Sequence, residues 1–327
     1  MSSPTARVVT FGELMLRLSP PRQERLFQSP EFRAGFGGCE ANVAVGLAHL
    51  GMRAEYVTRL PDSPIGQAAL EALEAEGVGT EGIVLGGERM GIYFVEPGAD
   101  MRTSRVVYDR AGSAFAGIAP GMVDWARTLA GTRWLHGSGI TPALGAGPRA
   151  ALAAAIAAAR ASGACISLDL NYRPALWQER DPRPVIAPLV QGADLLIANR
   201  DAVRAMLGVE APDDALAPRL AERFGCRRVA LTRREVLSAS EHGWSAALYD
   251  AASRGAWSSR RYQMRVVDRV GGGDSFAAGL IAALASDREP ADAVEFAAAA
   301  GALKLTIPGD WSRATAEEIE QVVRACA

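Results

Sequence analysis

Lysine is nearly missing from this 327-residue chain. Lys304 is the sole example, so 34 of the 35 basic side chains are arginine. The scarcity excludes several chemistries. A Walker-type phosphate loop, the strand lysine of protein kinases and a Schiff base each need lysine in a defined setting. Ala302-Leu303-Lys304-Leu305-Thr306 supplies none of them. Histidine is also rare: His49, His136 and His242 are the full set, and neither HExxH nor GxSxG occurs. Zincin and serine-hydrolase sites of those types are excluded. The four cysteines (Cys39, Cys165, Cys226, Cys326) form no CxxC, which reads as reduced thiols in a cytoplasmic protein. No basic segment followed by an apolar stretch opens the chain. The longest apolar run, Ala151 to Ala159, is too short to cross a bilayer, so no membrane partner is expected. With a net charge of −2 there is no global field to attract nucleic acid, so an anionic ligand must be held by local arginines.

What is present suits a soluble α/β protein: 49% hydrophobic and 22% charged residues, with length for a large core. Strand-like and helix-like segments alternate. Arg7 to Phe11, Ala54 to Thr58, Trp134 to His136, Cys165 to Leu170, Asp194 to Ala198 and Val229 to Thr232 read as strands. Ala41 to Leu50, Gln67 to Glu76, Arg149 to Ser162, Ala215 to Phe224 and Ala291 to Leu303 read as helices, the first two closed by Gly51 and Gly77. Repeated βα units predict a doubly wound, mainly parallel sheet flanked by helices, with ligands beyond the carboxyl ends of its strands. Two segments, about 14–36 and 91–110, break the rhythm with short strands and turns. Antiparallel strands inserted in this way predict either a small β-sheet lid or a plain edge hairpin. One domain spanning 1–327 is expected, and no GxGxxG follows the first strand to suggest a dehydrogenase.

One stretch carries most of the chemistry: Asp268-Arg269-Val270-Gly271-Gly272-Gly273-Asp274-Ser275-Phe276. It joins a strand-like run, Tyr262 to Val267, to a helix-like run, Phe276 to Leu284. Glycines let a backbone approach a ligand closely, and a helix N-terminus presents free, positively polarised N–H groups. The pair makes a phosphate site. Asp274 would repel a phosphate unless it orients a hydroxyl and takes its proton while a phosphoryl group moves. Asp is also a favoured helix cap, so the stretch alone leaves both roles open.

Gly37-Gly38-Cys39-Glu40-Ala41-Asn42-Val43-Ala44 is a second glycine turn opening a helix. The two together, in this order and with an inserted lid, resemble the paired signatures of the ribokinase-like (PfkB) sugar kinases. Gly12 to Pro21, Gly91-Ile92-Tyr93, Val107-Tyr108-Asp109-Arg110, Gly139-Ile140-Thr141-Pro142, Asp169-Leu170-Asn171-Tyr172-Arg173 and Ile307-Pro308-Gly309-Asp310 narrow the likeness to 2-keto-3-deoxygluconate kinases. The resemblance spans the whole chain. It implies transfer of the γ-phosphoryl group of ATP, with Mg²⁺, to a sugar-acid hydroxyl. By motif position Asp274 is the base, and the N–H groups of Gly271, Gly272, Gly273 and Asp274 hold the moving phosphate. An aspartate at its ordinary value, near 4, is a weak base for an alcohol, but the transition state is loose and positioning matters more. Arg110 and Arg173 match contacts to the substrate carboxylate. Gly38, Tyr93, Tyr108, Ile140 and Asp310 match sugar contacts. Asn199, Thr232, Arg234, Gly271 and Gly273 fall at nucleotide positions.

Two departures stand out. The family commonly has Asn-x-x-Glu after a central strand, influencing Mg²⁺; here Asn199 is followed by Ala202 at the acidic position. Asp201 is adjacent, but one step along a helix turns a side chain by about 100°. A Gly-x-x-Gly turn is replaced by Arg234 and Leu237. The metal ligands stay unassigned, and a monovalent cation near Asp268 is left open. A neutral-sugar kinase, for example for fructose, and a catalytically silent binder stand as alternatives. Lid strands in this family often pair between subunits, so a homodimer or larger assembly is expected.

Overall fold

Alternation within short apolar strands decides which helices meet which face of the sheet. In the computed structural model, which describes residues 6–178 and 180–326, Val8 packs with the helices Cys39–His49, Gly272–Ala285 and Pro290–Lys304. Its neighbours Val9 and Phe11 pack on the opposite face, with Ala146–Ser162, Arg183–Val190, Arg200–Leu207 and Asp213–Phe224. Leu195 and Leu196 divide between the two faces in the same way. Helix ends follow local chemistry: Ser63 accepts from the Gly66 N–H to open Pro64–Ala75, and left-handed Gly163 closes Ala146–Ser162.

The main sheet has nine strands. Six run parallel, in the order Arg53–Val57, Arg7–Phe11, Trp134–Ser138, Cys165–Asp169, Leu195–Ala198 and Arg228–Val236. Glu241–Asp250 then adds antiparallel, and Gly255–Ser258 and Tyr262–Arg265 pair with it. From Arg7–Phe11 the chain goes first to Arg53–Val57 on one side, then returns to Trp134–Ser138 on the other. Strand order reverses there, which opens a crevice at the carboxyl ends of the strands.

A second, four-stranded sheet has the order Arg33–Gly37, Met15–Ser19, Gly91–Glu96, Arg105–Asp109. The inserted strands are not all antiparallel as expected: the central pair, Met15–Ser19 with Gly91–Glu96, is parallel. Each follows a separate excursion through the main core, so neither is joined to the other by a turn. Tyr93 and Val95 face inward with Met15, while Phe94 lies on the other face with Phe27 and Phe32.

Two further boundaries move. The helix expected from Phe276 starts at Gly272, so the glycines form its first turn rather than precede it. The strand expected to end at Thr232 continues to Val236 in a long hairpin with Glu241–Asp250. Its polar second half, Thr232 to Glu235, hides the period-2 signal.

Candidate active site

Gly271 has φ 86° and caps the helix Gly272–Ala285. A Cβ there would lie 2.4 Å from the Asp310 carbonyl oxygen, so only glycine fits both the angle and the space. A Cβ on Gly273 would meet nothing within 4 Å, so the cradle is open on that side. Gly272, Gly273 and Asp274 are the first three helical positions, whose N–H groups have no partner within the helix.

Asp274 is buried, and its Oδ2 accepts a 2.7 Å hydrogen bond from Asn42 Nδ2. The Oδ1 of the same amide accepts from the Gly38 N–H at 3.3 Å, so Asn42 joins the two glycine turns. Burial pushes the Asp274 carboxyl up to about 7, with Asn42 pulling it down and neighbouring Asp169 pushing it up. The expected base therefore does not sit at an ordinary aspartate value. Asp169, at the end of its strand, is pushed up to about 6 by burial, against the opposing pull of the Asn171 N–H and of Arg173.

On the side of Arg17, Tyr93 and Arg110, charges are compensated. Arg17 donates to Asp310 Oδ1 at 2.5 Å and to Asp268 Oδ2 at 2.6 Å. Tyr93 donates to the other Asp310 oxygen at 2.6 Å, and its ring stacks on Tyr108 at 6.0 Å. Arg110 pairs with buried Glu13, which also accepts from Ser113, and its guanidinium lies over the Tyr108 ring. A Cβ on Gly38 would lie 2.0 Å from the Glu13 carbonyl oxygen, which explains the glycine. Ile140 follows the strand Trp134–Ser138, and its N–H donates to Ser138 Oγ.

The other side is different. Among the described residues, Arg173, Arg234 and Arg269 have no carboxylate partner within ion-pair distance, although Arg173 donates to the Tyr172 carbonyl at 3.3 Å. Arg234 lies across the hairpin from Trp244, whose ring packs on Phe276, two residues beyond Asp274. Burial, then Arg269 and Arg173, push the Arg234 guanidinium down, so the three cations feel one another. Arg173 also pulls down both Asp274 and Asp169. His242, buried beside Arg234 and Arg269, is pushed down by burial and by both cations, and its Nδ1 has no partner. Three unpaired guanidiniums beside an open helix N-terminus suit a polyanion. Asn199 follows the end of Leu195–Ala198, and Thr232 lies midway along the neighbouring Arg228–Val236: Asn199 accepts from the Ala202 N–H and so caps Arg200–Leu207, and Thr232 donates to the Ala198 carbonyl.

Sequence reasoning missed Asn42, Arg17, Glu13, Asp169 and Arg269. Arg269 had a readable signal, being a cation directly before the glycine cradle. The others act through contacts between distant segments.

A model of the pfkB family carbohydrate kinases matches residues 5–315. A 2-dehydro-3-deoxygalactonokinase from Haloferax volcanii is 34% identical over 324 residues, which cover 98% of this chain and 97% of the relative. The crystal structure of a 2-dehydro-3-deoxygluconokinase from Thermotoga maritima superposes with a TM-score of 0.94 at 42% identity, covering 98% of this chain and 99% of that one. A PfkB family carbohydrate kinase from Listeria grayi superposes with a TM-score of 0.93 at 33% identity, covering 97% of this chain and 99% of that one. The chain therefore belongs to the pfkB family of carbohydrate kinases.

Proposed function

We propose that this chain moves the γ-phosphoryl group of ATP to a hydroxyl of a 2-keto-3-deoxy sugar acid, with 2-keto-3-deoxygluconate the first candidate and 6-phosphorylation the outcome. The observation that carries the reading is Asp274: a buried carboxyl raised to about 7, in the first turn of an open helix N-terminus beside unpaired arginines. At that value it is poised to take a hydroxyl proton near neutral pH. The N–H groups of Gly272, Gly273 and Asp274, with the Gly271 turn, receive the migrating phosphoryl group, whose charge grows on its oxygens.

Arg173 meets the substrate carboxylate, assisted by Arg110, whose Nε is buried and without a partner. Gly38, Tyr93, Tyr108, Ile140 and Asp310 shape the sugar pocket. Asn199, Thr232 and Arg234 face the nucleotide, and the arginine cluster with no counter-ion fits its phosphates. Bound Mg²⁺ supplies charge neutralisation across those phosphates. Asn199, at the motif position that influences Mg²⁺ in this family, would help to hold the hydrated ion against the phosphates. The second sheet, about 14–36 and 91–110, acts as the lid that excludes water. Its outer patch of Phe27, 74% exposed, Phe32 and Phe94 supports pairing with a second copy. A cytoplasmic location would suit an enzyme that draws on ATP.

The relatives' names support both gluconate- and galactonate-derived keto acids. A coupled ADP-release screen over 2-keto-3-deoxygluconate, its galactonate counterpart and fructose tests the reading. The keto acids should outrun fructose by at least about tenfold in kcat/KM, the discrimination expected from one charged contact. Equal or faster turnover of fructose would replace the reading with a neutral-sugar kinase.

A further inference from the structure

The one lysine of the chain is fully buried, at 0% exposure, next to the phosphate cradle. Its Nζ donates to three backbone carbonyls: Val270 at 3.0 Å, Ile307 at 3.0 Å and Gly309 at 2.8 Å. Three acceptors need three N–H donors. A neutral amine has two, so this geometry requires the ammonium form. The carbonyls belong to two loops. Val270 leads directly into Gly271, and a Cβ on Gly271 would sit 3.0 Å from Lys304 Cε. Gly309 adjoins Asp310, and its N–H donates to Asp268 Oδ2 at 3.0 Å. The ammonium thus pins the glycine cradle to the Ile307–Asp310 turn.

A cluster of backbone carbonyls around one positive charge is also how proteins hold a bare monovalent ion, the oxygens replacing its hydration shell. A monovalent cation near Asp268 does not fit this chain. The converging carbonyls are taken by Lys304, and Asp268 accepts from Arg17, the Val270 N–H and the Gly309 N–H. Arginine replaces lysine everywhere else in this sequence but could not do so here. Its planar fork cannot point three donors at a tripod of carbonyls.

We propose that Lys304 is a built-in monovalent cation: its ammonium positions the Gly271–Asp274 cradle, and phosphoryl transfer by this chain needs no added potassium or ammonium ion. Lys304 touches no reacting atom; it is a positioning residue. The inference rests on the kinase reading above, so the experiment begins by establishing turnover of wild-type protein with ATP and the best acceptor from the screen. No turnover with any acceptor would count against that reading and leave nothing on which this one could stand.

With turnover established, wild-type kcat is compared in potassium, sodium and tetramethylammonium chlorides at fixed ionic strength. Values within about twofold are expected, and a loss of tenfold or more in tetramethylammonium overturns the proposal. Lys304→Ala leaves room for an ion, whereas Lys304→Met fills the space without charge. Lys304→Ala in tetramethylammonium should lose about 100-fold in kcat, the scale of a misplaced phosphate cradle. Ammonium or potassium ions should restore at least tenfold, with no such recovery in Lys304→Met. A folded Lys304→Ala protein that keeps wild-type kcat without these ions, or that loses activity and is not rescued, overturns the proposal. If neither variant folds by circular dichroism, the wild-type salt series decides alone.

Discussion

The two sides of Asp274 are built on opposite electrical plans. On one side nearly every polar group has a partner inside the protein: Arg17 with Asp310 and Asp268, Arg110 with Glu13, Tyr93 with Asp310. On the other side Arg173, Arg234 and Arg269 have no carboxylate partner among the described residues. A compensated wall keeps its shape whether or not ligand is present, because its polar groups are already satisfied. An uncompensated wall loses its repulsion only when a polyanion arrives. Binding of a polyanion there is therefore favoured by relief of repulsion between cations as well as by new contacts.

The sharpest way to break this picture is at the boundary. Asp274→Asn keeps the shape and removes the base, and should lower kcat by at least about 10³-fold in ADP-release assays. Its melting temperature at pH 8 should not fall, because a buried carboxylate is unfavourable there. Turnover near wild type would remove Asp274 from the reaction. Next, Arg17→Met takes the shared cation from two buried carboxylates and should cost about 3–5 kcal/mol in denaturant unfolding. Arg234→Ala and Arg269→Ala should change stability by no more than about 0.5 kcal/mol. Both should raise KM for ATP about tenfold while leaving KM for the keto acid within about twofold. A large stability loss in either would mean that the two walls are not differently built. The mildest test is pH. Asp274 holds its proton below about 7, so kcat/KM should fall about tenfold per pH unit on the acid side. The folded value lies above the unfolded one, near 4, so folding takes up a proton between them. The contribution of Asp274 to stability should therefore fall as pH rises from about 4 to about 7 and stay low above it. Unfolding free energies measured across that range, with those of Asp274→Asn subtracted to remove the other titrating groups, check the sign.

Much of the fold was legible because short apolar strands alternate with helices, two of which carry glycine stop signals at Gly51 and Gly77. The hairpin Arg228–Val236 with Glu241–Asp250 was not, because its outer half is polar and carries no periodicity. The parallel pair in the small sheet escaped because strand direction is set by where the chain re-enters, which local spacing does not record. At the site, Asp274 and the glycines were readable from their turn chemistry. The partners that tune them were not: Asn42 reaches Asp274 across 232 positions, and Arg17 reaches Asp268 and Asp310 across 251 and 293. The raised value of Asp274 follows from burial, which a motif alone cannot supply.

Folding hides the only side-chain amine in the chain. Acylating reagents in excess can therefore modify Lys304 only in molecules that have opened far enough to release it. Once the N-terminal amine has reacted, growth of one further mass increment with time would report how often the interior comes apart, with no background from surface lysines.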